Sequence, residues 1–417
     1  MWTPAVGKIL PFLNKLLSKQ KNLENSLPSH LPFTGGWLGW LGYDLAWEIE
    51  QLPRIKADPL PFPVAFWYEP ATFAVLDHFQ QTLWLAATDE AELDKLQQRL
   101  EKLSSSTSNT TKSSQEAFKP KDLPLLPTFP HYNYQAAIGQ AKKYIQEGDI
   151  FQANLSLRFQ ASTLAESWLI YQTLRRINPS PFASYWQTPW GAVISCSPER
   201  LVKLQGQEAQ TRPIAGTRKR GETKARDQQL EQELISDLKE RAEHIMLVDL
   251  ERNDLGRVCQ WGSVKVNEFM TIERYSHVMH LVSNVTGILQ KNCNTVDLIR
   301  ALFPGGTITG CPKVRCLEII EELEPVRRSL FYGSCGYLDQ RGHLDLNILI
   351  RTLLVTNLER GLGFEDKDRG SVNSSSLKLV SGQVGAGIVA DSDPEREWYE
   401  SLHKAQAQLA ALDFGSL

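Results

Sequence analysis

A chain of 417 residues with 42% hydrophobic and 22% charged side chains has globular proportions and the length for a sizeable core. Its 27 glycines and 22 prolines are an ordinary share, which excludes collagen-like, coiled-coil and wholly disordered chains. With 45 basic against 48 acidic residues the net charge is -3, so no bulk field attracts a polyanion and nucleic acid is not an expected partner.

The opening stretch MWTPAVGKILPFLNKLLSKQ has apolar residues interrupted by Lys8, Asn14 and Lys15, so it reads as neither a signal peptide nor a membrane span. A cytoplasmic protein without a membrane partner is expected. Six cysteines, none in a C-x-x-C pair, read as reduced, packed thiols. The Gly-punctuated segment FTGGWLGWLGYDLAWEIE leads into VAFWYEPATFAVLDHFQQTLWLAA, whose β-branched and aromatic content predicts two strands joined by a turn. Residues 1–101 are thus expected to be β-rich. Residues 102–130 are Ser/Thr-rich and then Pro-rich, with too few apolar side chains to bury a face, and read as a connector. Beyond it, strand-like runs (ASYWQ, AVISCS, SVKVNEF, LNILIRTLLV, GAGIVA) alternate irregularly with helical ones, which predicts an α+β architecture. The polar stretch LERGLGFEDKDRGSVNSSSLKL reads as a long hairpin loop.

The clearest helical pattern is residues 227–251, where Leu230, Leu234, Leu238 and Ile245 form one stripe. Glu240 and Glu243 lie off it at i and i+3, so they either share one hard cation or belong to a solvated acidic face. The last helix opens at DSDPE, with Asp393 as N-cap, Pro394 in the first turn, and Trp398, Leu402, Ala405 and Leu409 as its stripe. Glu397 and Glu400 repeat the acidic spacing. Two such pairs would supply the oxygen ligands that Mg²⁺ takes, if the helices meet.

Gly385, Ala386 and Gly387 ahead of that helix read either as backbone donors for a carboxylate or as a tight strand-to-helix turn. FPGGTITGCPK is not a phosphate loop, because its lysine is misplaced and no Ser or Thr follows. His277 and His280 in ERYSHVMHLVS lack a third zinc-type ligand, and that segment suits strand and helix equally badly. The basic run TRKRGETKAR reads as a solvated loop.

The strings GDIFQANLSLRF, SPERL, RPIAGTRKRG, ERAEHIMLVDLERNDLGRV, FPGGTITGCPKVRCLEIIEELEP and GAGIVADSDPE occur in this order between residues 131 and 412. Together they resemble the chorismate-utilising enzymes, specifically component I of anthranilate synthase and of aminodeoxychorismate synthase. The resemblance implies two extended antiparallel-type sheets flanked by helices, with 131–412 as the chorismate-binding catalytic domain, and a Mg²⁺-dependent reaction on chorismate. Glu243 and Glu400 match the family's direct metal ligands, and Glu240 and Glu397 the outer pair that acts through water. Glu199 matches the general acid that protonates the departing C4 hydroxyl. Gln152 stands where water-using relatives carry a lysine base, which implies ammonia as the nucleophile. His280 matches the histidine near the reacting ring, and Thr307, Tyr332, Arg351 and the backbone of Gly385, Ala386 and Gly387 match positions that hold the substrate's carboxylates. Ammonia would come from a glutamine amidotransferase partner.

The choice of product divides the motifs. FPGGTITG, GSCGYL and LDLNILIRT resemble aminodeoxychorismate synthase, whereas Ala215 in RPIAGT resembles anthranilate synthase, because the former frequently has a lysine there that adds to the substrate. The expectation is 4-amino-4-deoxychorismate; the alternative is anthranilate with pyruvate. Residues 1–30 show no clear family counterpart, and tryptophan binding is not expected.

Overall fold

The computed structural model describes residues 1–18, 28–106, 133–275, 278–357 and 377–412. His277, most of the expected connector and nearly all of the expected hairpin loop lie outside them. The front of the chain forms α1 (Ile9–Leu17), β1 (Gly36–Leu41), α2 (Ala46–Ile49), β2 (Ala65–Tyr68), β3 (Thr72–Asp77), β4 (Thr82–Ala87) and α3 (Glu90–Ser106). Next come α4 (Tyr134–Gln146), β5 (Gln152–Thr163), α5 (Ser167–Ile177), β6 (Phe182–Thr188), β7 (Gly191–Ser197), β8 (Arg200–Gln205), β9 (Glu208–Arg212) and β10 (Ile214–Lys219). The acidic helices α6 (Lys224–Ser236) and α7 (Leu238–Gly256) precede β11 (Lys265–Arg274), β12 (Val278–Ile288), α8 (Thr295–Leu302), β13 (Gly310–Cys311) and α9 (Lys313–Leu323). The chain closes with β14 (Ser334–Asp339), β15 (Leu344–Asn347), β16 (Thr352–Asn357), β17 (Lys378–Ile388) and α10 (Pro394–Ala410).

These strands build the expected α+β architecture. A nine-stranded sheet runs β10-β12-β9-β8-β15-β14-β1-β2 with β11 added on β12, and a six-stranded sheet runs β13-β5-β17-β16-β7-β6. Every described pairing is antiparallel, which the hairpin-type connections permit. The larger core gathers Leu10, Trp40, Trp67, Leu204, Leu302 and Leu346; the second sets Phe159 and Ile194 of the six-stranded sheet against Ile138, Leu174, Ile320 and Ala405.

Several elements differ from expectation. The segment read as two strands makes three: β2 joins β1 in the large sheet, while β3 and β4 pair only with each other. LNILIRTLLV is split between β15 and β16 at residues 348–351, where Arg351 turns the chain with φ 51. The helix expected over 227–251 breaks at Asp237, whose extended backbone ends α6 and whose carboxylate accepts the Lys239 and Glu240 amides at 3.0 and 3.2 Å to cap α7. Its supposed stripe fails with it: Leu234 is buried, but Leu238 is 79% exposed and Ile245 points outward. Beyond the break the buried residues are His244, Leu247, Val248, Leu250, Glu251, Asp254 and Leu255. Helix α3 runs through residues 102–106, the start of the expected connector.

The front end is part of the main body. Glu48 caps α1 by accepting the Gly7, Ile9 and Leu10 amides at 2.7, 2.9 and 2.7 Å, and β1 pairs along β14, some 300 residues away in sequence. All six cysteines are free, as expected. Among the described residues no helix is long and apolar enough to cross a membrane.

Candidate active site

The two acidic pairs sit at the starts of α7 and α10. The break at Asp237 puts Glu240 in the first turn of α7, where the helix dipole favours a carboxylate, and Glu243 one turn on. On α10, Asp393 accepts the Glu395 and Arg396 amides at 3.2 and 3.0 Å, with Pro394 in the first turn, as the sequence predicts. Of the expected stripe, Ala405 is buried, and Trp398 and Leu409 pack partly buried on the second core.

The helices face one another across the site. Burial holds Glu243 above the ordinary carboxylate range, and Glu240 and Glu400 add to it while Lys404 opposes. Glu397 is likewise raised by burial; the Ser392 hydroxyl, donating at 2.7 Å, opposes this and the charge of Glu400 reinforces it. Burial also acts to raise Glu400, but Lys404, at 2.8 Å, outweighs it and holds this carboxyl low. The charge of Glu400 reaches Glu243, and that of Lys239 on α7 reaches Glu397 and Glu400, which places the two pairs in one region. Among the described residues no three acidic, imidazole or thiol groups stand close enough to enclose an ion. The residues nonetheless fit a hard divalent cation in donor type and charge: carboxylates of two helices come near one another, and the Lys404 ammonium pairs with Glu400 at 2.8 Å.

Lys404 was not singled out in the sequence, although its place four residues after Glu400 puts it on the same helix face. It also donates to the Gly385 carbonyl at 3.0 Å and acts on Glu199, Glu243 and Glu397. The basic run read as a solvated loop is a second departure. Arg218, on β10, donates to Glu240 at 3.2 Å and to Asp237 at 3.0 Å, and Arg220 grips Asp227 at 2.8 Å.

Beyond Lys404 lies Glu199, in the link between β7 and β8 and only 6% exposed. Burial pushes its carboxyl up to about 7, against the Thr307 hydroxyl and Lys404. Such a group holds a proton near neutral pH and gives it up readily. His280, on β12, is pushed down to about 4 by burial, so its ring is neutral. Its Nδ1 meets the Thr217 hydroxyl at 3.0 Å and the Gly216 carbonyl at 3.3 Å. A carbonyl only accepts, so the proton is assigned to Nδ1, which leaves Nε2 as an acceptor.

Arg351 and Tyr332 both have positive φ, 51 and 64°, a conformation that non-glycine residues seldom adopt and that clusters at functional sites. The Arg351 charge acts on Tyr332 and on His280, which places all three together. Gly385, Ala386 and Gly387 are not a turn. They lie in β17 opposite Ser156, Leu155 and Asn154 of β5, beyond the last β16 pair at Gly382, so among the described residues no strand pairs with their other edge. At Gly387 a Cβ would run into Gln152 Nε2 and stand 3.5 Å from Glu243 Oε1, so any side chain there would push the end of Gln152 aside. The Gln152 Oε1 atom is buried and has no hydrogen-bond donor among the described residues. Ala215 is buried among the apolar side chains of Leu247, Leu250 and Cys311 and itself carries no amine.

The chain belongs to the family of chorismate-binding enzymes, whose model matches residues 6–410. That match reaches into the front end for which the motifs offered no counterpart. Curated relatives include an anthranilate synthase component I-like protein of Synechocystis, 61% identical over 99% of this chain and 80% of its own length. The aminodeoxychorismate synthase component 1 of Bacillus subtilis is 44% identical over 94% of this chain and 80% of its own length. The anthranilate synthase component 1 of the same Synechocystis strain is 40% identical over 97% and 81%. Among solved structures, anthranilate synthase component I from Streptococcus pneumoniae aligns with TM-score 0.78 and 30% identity, covering 96% of this chain and 85% of that one.

Proposed function

We propose that this chain aminates chorismate to 4-amino-4-deoxychorismate, with Mg²⁺ as its metal and a glutamine amidotransferase as the source of ammonia. One observation carries the choice of product. The 61% identical relative comes from a cyanobacterium that also has a separate anthranilate synthase component 1, only 40% identical to this chain, while the named aminodeoxychorismate synthase is 44% identical. Two such proteins in one organism argue for two aminations. Relatives named component 1 imply a second component, and the amidotransferase is that partner in this reading.

The residues support each step. Arg351, Tyr332, Thr307 and the open edge of Gly385 to Gly387 bind the carboxylates of the dianionic substrate. Glu243 and Glu400 would hold Mg²⁺ directly, with Glu240 and Glu397 acting through water, and a cation held there would supply Lewis-acid polarisation of the bound substrate. Glu199 donates its proton to the C4 hydroxyl as the C–O bond breaks, so that water leaves in place of hydroxide. The new C–N bond forms from ammonia, and the proton lost by the resulting ammonium restores Glu199. Gln152 cannot deprotonate water, but its unpaired carbonyl oxygen can accept an ammonia N–H, which leaves the nitrogen lone pair free to attack.

Ala215 favours a second reading. Its apolar surroundings supply no lysine to add at C2, so ammonia itself can take C2, and loss of pyruvate then yields anthranilate. Supplying chorismate, Mg²⁺ and ammonium and identifying the product separates the two. We expect a product that yields 4-aminobenzoate only after a lyase is added; anthranilate with stoichiometric pyruvate would overturn the choice.

A further inference from the structure

Four glutamates of one chemical type divide into two environments, and the division follows their protein partners. Glu397 is 4% exposed and accepts a hydrogen bond at 2.7 Å from Ser392, which lies in the turn leading into α10. Ser392 is itself fixed: its hydroxyl accepts the Val389 amide at 3.1 Å, its own amide donates to the Val389 carbonyl at 3.0 Å, and its carbonyl accepts Lys142 at 2.6 Å. On the other helix Glu240 accepts Arg218 at 3.2 Å, and the same guanidinium donates to the Thr217 carbonyl at 3.0 Å and to the α7 cap Asp237 at 3.0 Å. Glu243 has no such side-chain donor among the described residues, and Glu400 has only the mobile-headed ammonium of its own helix neighbour Lys404.

We propose that Ser392 and Arg218 are positioning residues of the metal site, each holding one outer glutamate, Glu397 and Glu240, in the orientation from which it acts on the ion. A carboxylate with one oxygen committed to a rigid protein donor keeps the other for a metal-bound water, whereas an uncommitted one can turn fully onto the ion. Partners of this kind orient ligands and, when removed, typically cost about 10–100-fold in metal affinity. The inference rests on the Mg²⁺ reading above.

The test is Mn²⁺ binding to the whole protein without substrate, read from the electron paramagnetic resonance of the free ion. The Ser392→Ala variant should bind Mn²⁺ about tenfold or more weakly, and Ser392→Thr, which keeps the hydroxyl, should bind near the level of the wild type. Arg218→Lys keeps the charge but replaces the fork by a point donor, so it should also weaken binding. Thermal unfolding of each variant distinguishes a lost helix start from a lost ligand orientation. If wild type and the Ser392→Ala protein bind Mn²⁺ equally while the variant melts lower, the hydroxyl merely holds the turn and the inference fails. If the wild type binds no Mn²⁺ at all, the metal reading fails, and the inference with it.

Discussion

In the proposed reaction Glu199 concentrates the chemistry in one side chain. Burial raises its carboxyl to about 7, and the acid role requires the protonated form. Turnover should therefore fall as pH rises through about 7, and Glu199→Gln should abolish it while leaving the circular dichroism unchanged; near-normal activity would remove Glu199 from the acid role. The same shift has a stability consequence. The folded state holds this proton up to about 7, whereas the unfolded chain releases it near 4.5, so stability falls as pH rises between those values. At pH 8 the Gln variant, with no charge to bury, should be more stable than wild type by up to roughly 3 kcal/mol in urea unfolding. The sequence singled out Glu199, Glu240 and Glu243 because they lie in contiguous motifs, and Glu397 and Glu400 because they repeat the acidic spacing. Lys404 and Ser392 were not singled out, since their roles depend on which carboxylate each reaches across a turn of helix or loop.

Elements place these side chains, and two of them are open to test. Asp237 ends one helix, caps the next and receives Arg218, so Asp237→Ala should cost about 1–2 kcal/mol in urea unfolding. Gly387→Ala should behave differently. The added methyl meets the movable end of Gln152 and lies close to Glu243, so the fold should hold, with stability within about 1 kcal/mol of wild type, whereas displacing groups beside the substrate should lower kcat by about tenfold or more. The α10 start was legible because Asp393, Pro394 and two acidic residues agree. The break at Asp237 was masked because the leucine spacing of 227–251 continues across it, and periodicity alone cannot distinguish a cap from a polar position within a helix. Gly385 to Gly387 misled for a related reason: a Gly-rich stretch before a helix usually marks a turn, but here the glycines let β5, Gln152 and the acidic helices approach a strand.

At the scale of the molecule, the sequence conveyed the α+β class, but not how the front end joins the rest. Pairing of β1 with β14 and burial of the Asp44–Arg327 ion pair at 2.8 Å connect segments about 300 residues apart, which no local pattern encodes. Removing residues 1–68 should thus strip two strands and Trp40 and Trp67 from the large core, and leave a protein without a cooperative melting transition. The account as a whole stands on chorismate amination at the site shared by α7, α10 and Glu199. Its most direct test follows chorismate in the presence of ammonium, with Mg²⁺ and then with the metal chelated. The account predicts consumption that needs both Mg²⁺ and ammonium and is absent in Glu199→Gln; chorismate left unchanged by the wild-type protein under full conditions would contradict it.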